Sequence, residues 1–321
     1  VANKSRPAQR RIDPRKNDTR RPPKAKAVAP ATARDWIGGA RLRTLPLAIA
    51  PVALGTGAAY LYDNDEGWHW VRALLCLVVA VGLQIGVNYA NDYSDGVRGT
   101  DAHRVGPSRL TGSGAAKPRA VLTVALVFFA IAGVAGVAVS ILSGYPWLIV
   151  IGAVCVVAAY FYTGGKHPYG YYGLGEVFVF IFFGLVATAG TMFVQVGAVS
   201  LEAWLAAVAI GLLACAVLMV NNIRDAQQDV LARKRTLAVL VGDRMSRVLF
   251  AAMTLAPFVI LGFFTALYPN AGYVFFALLA AVPAVIITLT GRTAPEFILA
   301  LKLTSVTALL FGVGLAAALA F

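Results

Sequence analysis

Two polar strings interrupt an otherwise apolar chain, and they hold the residue types with most chemistry to offer. The first is Asn88-Tyr89-Ala90-Asn91-Asp92-Tyr93-Ser94-Asp95, followed by Gly96-Val97-Arg98-Gly99-Thr100-Asp101. The second is Asn221-Asn222-Ile223-Arg224-Asp225-Ala226-Gln227-Gln228-Asp229, followed by a basic run ending Lys234-Arg235-Thr236-Leu237. On a helix, Asn91 and Asp95 share one face, and Asp225 and Asp229 repeat the arrangement. Asn88 and Asn222 stand beside them. Carboxylates crowded on one face near lipid are costly without a counter-ion. A hard divalent cation meets that need, and Mg²⁺ binds one or two carboxylates while completing its shell with water and substrate phosphate. Asn91, Asp92, Asp95, Asp225 and Asp229 are the candidate ligands, and two facing clusters suggest a diphosphate held through two ions. Arg104, Arg109 and Lys117 follow the first cluster, and Arg224, Arg233, Lys234 and Arg235 surround the second. Arg43 and Lys166 belong to the same side of the chain's alternation. A diphosphate takes such donors readily. One Asp-rich helix end is a weak signal and one isolated base is ordinary; two amide-bearing acidic clusters interleaved with bases are far more specific.

The elements that carry these strings must be membrane helices. Of the 321 residues 59% are hydrophobic and only 13% charged, against about 25% in a soluble domain, and the mean hydropathy is +0.73. Nine runs approach the length of about 20 residues that a span requires: 44–62, 69–91, 120–142, 145–163, 174–195, 202–221, 248–268, 272–290 and 296–320. They lack strict alternation, so they read as helices and not strands. The formal charge of +13 does not mark a nucleic-acid binder, because the bases lie in a tail and in short loops. With the tail cytoplasmic, all but Arg72 and Lys302 of the 28 Lys and Arg fall on that face, as the positive-inside rule requires. Both polar strings then open on the cytoplasm, from the inner ends of the second and sixth helices. Residues 1–34 hold eleven Lys and Arg and no aromatic residue; they read as a disordered basic tail against an anionic leaflet, with the membrane domain over 35–321. Cys76, Cys155 and Cys215 lie in apolar runs without metal or disulfide spacing and read as buried thiols. The paired glycines Gly82 with Gly86, Gly133 with Gly136 and Gly312 with Gly314 allow close helix approach or room for a lipid chain, close packing being the default reading.

At these residues the chain resembles the UbiA superfamily of intramembrane prenyltransferases. The resemblance covers about residues 38–320 and implies nine helices around a central cavity, open to the cytoplasm and laterally to lipid. The family's Asn-x-x-x-Asp motif fits Asn91 and Asp95; where the family has a further acid this chain has Gly99, with Asp101 as the nearest substitute. Its Asp-x-x-x-Asp motif fits Asp225 and Asp229, and its Tyr-x-x-x-Lys element after the fourth helix fits Tyr162 and Lys166. The strings Arg43-Thr44-Leu45-Pro46, Gly106-Pro107-Ser108-Arg109-Leu110-Thr111, Tyr169-Gly170-Tyr171-Tyr172-Gly173-Leu174-Gly175-Glu176 and Asn221-Asn222-Ile223-Arg224-Asp225 look like the menaquinone-pathway branch.

That resemblance implies Mg²⁺-dependent transfer from a polyprenyl diphosphate to 1,4-dihydroxy-2-naphthoate, with decarboxylation to demethylmenaquinol. It implies Asp95, Asp225, Asp229, Lys166 and Tyr162 in catalysis, and Arg43, Arg104, Arg109, Arg224 and Lys234 on the diphosphate. Asn88, Asn222, Tyr169 and Glu176 become the candidates for the acceptor or the prenyl chain. Tyr160, Tyr162, Tyr169 and Phe178 are aromatic faces able to stabilise an allylic cation, or simply packing. Glu176 either orients the acceptor hydroxyl or caps a helix N-terminus. A different ring acceptor such as 4-hydroxybenzoate is one competing reading. An ion-coupled transporter is the other, weakened because the acids sit at helix ends and not at the bilayer midplane.

Overall fold

A computed structural model describes residues 28–63, 69–100 and 109–321, and these are helical almost throughout. The basic tail to residue 27, Arg104 and Asp101 lie outside the described residues. The chain enters through α1 (Ala33–Gly39), whose N-terminus is closed by a reciprocal pair: Thr32 Oγ1 accepts from the Asp35 backbone and Asp35 Oδ2 accepts from Thr32 N, at 3.3 and 2.8 Å. Arg41, at φ 55°, breaks the helix direction, and Pro46 opens α2 (Pro46–Tyr62), bent 46° from the preceding segment. There follow α3 (Trp70–Arg98), α4 (Pro118–Leu142), the short α5 (Leu148–Phe161), and α6 (Gly175–Val179), which continues through a π-helical stretch (Phe180–Val186) into α7 (Ala187–Val196). After these come α8 (Leu201–Leu231), the single-turn α9 (Leu237–Val241), α10 (Asp243–Leu267), a segment Pro269–Ala277 leading into α11 (Leu278–Thr290), and α12 (Ala294–Ala320).

Seven of these helices are long and apolar enough to cross a membrane, or eight if the bent α1–α2 pair counts as one span. α5, with 14 residues, is about 21 Å long and falls short of the roughly 30 Å hydrocarbon core. The nine runs expected from sequence therefore all become helices, but not all meet the length of a full span. The outward faces are apolar: Val134, Val259 and Leu279 are more than 70% exposed, an arrangement that suits lipid and not water.

Two helices overrun their expected ends, and this overrun makes the site. α3 has 29 residues and α8 has 31, about 43 and 46 Å. The acidic strings, which run past the ends of the apolar runs at 91 and 221, stay helical to Arg98 and Leu231. Gly99, at φ 74°, terminates α3 in the left-handed conformation that glycine adopts without strain.

Close helix contact rests on α2 and α12. A Cβ at Gly55 would stand 2.3 Å from the Thr188 carbonyl oxygen of α7, and one at Gly57 would stand 2.5 Å from the Ala316 oxygen of α12. Gly55→Val should therefore cost about 3 kcal/mol, seen as a lower melting temperature in detergent. Gly86 and Gly312 pack as closely, at 2.5 Å, and Gly82 less so at 3.1 Å, whereas Gly136 and Gly314 meet only ordinary contacts at 3.8 and 3.4 Å and nothing lies within 4 Å of a Cβ added at Gly133. At the face opposite the acidic strings, Arg72 donates to the carbonyls of Val194, Gln195 and Leu142 at 3.1, 3.1 and 2.8 Å. It thereby bolts the C-terminal ends of α4 and α7 to the start of α3.

Candidate active site

The overrunning ends of α3 and α8 stand at the polar head of a cavity of about 950 Å³. Asn88, Asn91 and Asp95 from α3 and Asn221, Asn222, Asp225 and Asp229 from α8 line it together. Beyond them the lining turns apolar along α4, α5 and α7. The i, i+4 spacing that aligned each pair in sequence thus places both pairs on inward faces.

Asp95 is the centre of charge. It is 2% exposed, accepts from Arg109 Nη1 at 2.6 Å, and meets Lys234 Nζ at 3.0 Å. Tyr171 O–H donates to the same carboxylate. Lys234 belongs to the loop after α8, so its contact with Asp95 ties the two acid-bearing helices together. Its ammonium also sits 4.7 Å from the Tyr171 ring centroid, with Arg98 5.5 Å from the same ring. Burial, and then the Asp95 charge, push the Tyr171 phenol well above its ordinary value. It therefore remains a proton donor to Asp95 at any physiological pH. Asn91 Oδ1 accepts from Thr163 Oγ1 at 2.6 Å.

Asp225 is held differently. Arg224 Nε and Nη2 grip its two oxygens at 2.7 and 2.6 Å, and Nη2 also reaches Asn221 Oδ1 at 2.9 Å. Arg224, expected on the diphosphate, is thus spent on its neighbour, with a side chain 1% exposed and outside the cavity lining. Arg43 is half-buried within electrostatic reach of Arg224 and Asp225, and its Nε is buried without a hydrogen bond. It too stays outside the lining. Asp229 accepts a long 3.4 Å bond from Thr236 and feels the charges of Lys234, Asp225 and Asp95.

Three expectations change on contact with the geometry. Asp92, a candidate ligand, does not reach the cavity: its two oxygens accept the backbone N–H groups of Leu110 and Thr111 at 2.9 and 2.8 Å, and so anchor the strand of chain that carries Arg109. Lys166 is exposed and away from the lining, whereas its motif partner Tyr162 lines the cavity, with Tyr169 edge-on at 5.5 Å and Phe178 4.1 Å beyond that. Glu176 does not cap a helix; its Oε1 accepts from Asn222 Nδ2 at 2.9 Å. Asn88, for its part, lines the cavity while donating to the Ala40 carbonyl at 3.0 Å.

Arg41, Thr163 and Tyr171 complete the polar head and were not singled out from the sequence. Arg41 lines the cavity because its left-handed turn redirects the chain; two residues from Arg43, it carries no sequence signal that separates the two. Tyr171 sits within a string that marks the family branch, yet its spacing alone gives no role.

Among the described residues no three Asp, Glu, His or Cys form a closed metal-ligand set. The lining instead offers Asp95, Asp225, Asp229 and the Asn91 amide as hard oxygen donors around a shared space. That donor set fits Mg²⁺, which relies on few carboxylates and on substrate phosphate, better than it fits any all-protein cage.

A model of the UbiA prenyltransferase family matches residues 48–296. The chain belongs to that family. Among its UbiA relatives is a 1,4-dihydroxy-2-naphthoate octaprenyltransferase of Mycobacterium tuberculosis, 45% identical over 305 residues, spanning 91% of this chain and 98% of the relative. The protein of the same description from Mycobacterium leprae is 53% identical over 227 residues, 70% of this chain and 76% of that one. The fold is likewise that of a UbiA homologue from Aeropyrum pernix, with TM-score 0.64 at 18% identity, covering 84% of this chain and 97% of that one. A second UbiA homologue, from Archaeoglobus fulgidus and bound to GPP and Mg²⁺, superposes with TM-score 0.62 at 13% identity, covering 89% and 100%.

Proposed function

We propose that this UbiA-family enzyme transfers a polyprenyl group from polyprenyl diphosphate to 1,4-dihydroxy-2-naphthoate, releasing diphosphate and carbon dioxide and giving demethylmenaquinol for menaquinone biosynthesis. The observation that carries the reading is the cavity: acids and bases from α3 and α8 crowd one end, and an apolar channel between helices runs from it. Relatives that match most of this chain bear the naphthoate transferase description.

The diphosphate lies at the polar head, where Arg109, Lys234 and Arg41 face it. Asp95, Asp225, Asp229 and Asn91 hold Mg²⁺, as two ions. When bound, Mg²⁺ neutralises charge on the leaving diphosphate. Arg109 and Lys234 turn from Asp95 to the phosphate oxygens and stabilise the same charge as it grows. The C1–O bond breaks and its electron pair leaves with the diphosphate. Tyr162, Tyr169 and Phe178 flank the allylic cation, and the apolar walls keep water from it. The ring carbon that bears the acceptor's carboxylate bonds to C1, and the carboxylate departs as carbon dioxide, returning its bonding pair to the ring.

The finer topology follows the same reading. α2 and the short α5 complete a nine-helix bundle, with the polar head and the N-terminus on the cytoplasmic face, where the positive-inside rule puts the bases. The cavity opens to the cytoplasm and laterally to lipid. The prenyl tail runs along Gly133, Gly152 and Gly190, from three different helices; each lines the cavity, and nothing lies within 4 Å of an added Cβ. These glycines make room and do not pack helices. Gly152→Phe should lower kcat/KM tenfold or more for long donors while sparing short ones, measured with donors of graded length.

The test of the reaction uses purified protein in detergent, radiolabelled polyprenyl diphosphate, Mg²⁺ and 1,4-dihydroxy-2-naphthoate. A lipophilic naphthoquinol with release of carbon dioxide is expected, abolished by EDTA and restored by Mg²⁺. Product with 4-hydroxybenzoate but none with the naphthoate would overturn the acceptor assignment, and no transfer to any acceptor would overturn the enzyme reading.

A further inference from the structure

Beside the charged head of the cavity, where α5 ends and α6 begins against α8, lies a buried polar pair that diphosphate chemistry does not require. Glu176 is 4% exposed and does not line the cavity. Its Oε1 accepts from Asn222 Nδ2 at 2.9 Å, while its Oε2 is buried without a hydrogen bond. Cys215 S–H points to its backbone carbonyl at 3.1 Å. Gly175, next to it, leaves the Tyr162 hydroxyl 3.3 Å from where a Cβ would stand. Asn222, by contrast, does line the cavity.

A side-chain amide has two faces of opposite character, an oxygen that only accepts and an NH₂ that only donates. Glu176 takes one of the two N–H groups and so sets which way the amide faces, leaving its oxygen as an acceptor for a ligand. That oxygen makes no hydrogen bond among the described residues. A carbonyl oxygen backed by a buried carboxyl repels anions and welcomes an O–H donor. It is therefore unsuited to diphosphate or to a carboxylate, and suited to the hydroxyl of an electron-rich ring.

We propose that Glu176 is a positioning residue: it fixes the Asn222 amide so that Oδ1 accepts a hydrogen bond from a ring hydroxyl of the aromatic acceptor. The contact selects hydroxylated acceptors and turns the acceptor's carboxylate away, toward the bases at the other side of the head. This inference rests on the prenyl-transfer reading above and names the acceptor contact within it.

Two-substrate steady-state kinetics test it. In Glu176→Met the KM for 1,4-dihydroxy-2-naphthoate should rise tenfold or more while the donor KM stays within twofold. Glu176→Gln keeps an oxygen for Asn222 Nδ2 to reach and should restore the acceptor KM to within threefold of wild type. Asn222→Leu should show the same rise and lose the wild-type preference for the dihydroxy acceptor over its mono-O-methyl ethers. An unchanged acceptor KM in Glu176→Met, a Gln variant as impaired as the Met variant, or a parallel rise in donor KM overturns the proposal. So does an Asn222→Leu enzyme that still rejects the methyl ethers as wild type does. If Glu176→Met does not elute as folded protein, Asn222→Leu with the ethers decides. Wild-type protein that prenylates a different hydroxylated ring overturns the naphthoate reading alone, and the same variants then read this contact with that acceptor.

Discussion

Asp229→Asn lowers turnover about a hundredfold or more, the size of loss expected when a preorganised electrostatic partner of the leaving group is removed, and leaves the protein folded. The reason for choosing Asp229 lies in how the three acids are held. Asp225 is gripped at both oxygens by Arg224, whose side chain is 1% exposed. Removing that carboxylate strands a buried guanidinium, a change that costs about 3–5 kcal/mol, so Asp225→Ala loses stability together with activity. Asp95 balances Arg109 and Lys234, and its removal frees two bases at once. Asp229 is half-buried with a single long hydrogen bond from Thr236, so its neutral isostere perturbs the proposed metal site and little else. The check is single-turnover kinetics across a Mg²⁺ titration, beside a thermal melt. A folded Asp229→Asn enzyme with wild-type turnover at low Mg²⁺ would remove Asp229 from the metal site.

Asp92→Ala is the second large effect, and it acts through a different route. The Asp92 carboxylate is 3% exposed and accepts the Leu110 and Thr111 backbone N–H groups. Charged hydrogen bonds of this kind contribute about 1.5–3 kcal/mol each, so the variant loses about 3 kcal/mol or more and leaves two buried donors unpaired. The segment it releases carries Arg109, which donates to the Asn91 carbonyl at 2.9 Å and to Asp95. The donor KM should therefore rise about tenfold, while the Mg²⁺ concentration for half-maximal rate stays as in wild type. A shifted Mg²⁺ requirement with an unmoved melting temperature would return Asp92 to the metal.

Asp92 lies three residues before Asp95 and Asp229 four residues after Asp225; the two acids look alike in sequence, which marks where sequence reading stops. Periodicity assigned Asn91 with Asp95 and Asp225 with Asp229 to shared helix faces, because a 3.6-residue turn aligns i with i+4 wherever the helix continues. Hydropathy assigned the helices, because lipid leaves backbone groups no other partner. Charge asymmetry put both acidic strings at one end. Each of these properties is local, or sums along the chain, so the sequence alone determines it. It thereby determined the helical membrane fold and the acid pairs, and its motifs pointed to the family and the reaction.

The tertiary structure decided which neighbouring side chains a carboxylate meets. Asp92 went to a backbone turn 18 residues on, and Arg224 to the adjacent Asp225. Lys234 crossed from the α8 loop to Asp95 on α3, and Glu176 met Asn222 across 46 residues. Lys166 stayed outside, and Arg41 came in through a left-handed turn. These pairings depend on the angle and depth at which two helices pack, set by contacts as distant as Gly55 on Thr188 and Gly57 on Ala316. No spacing within a single string carries that information.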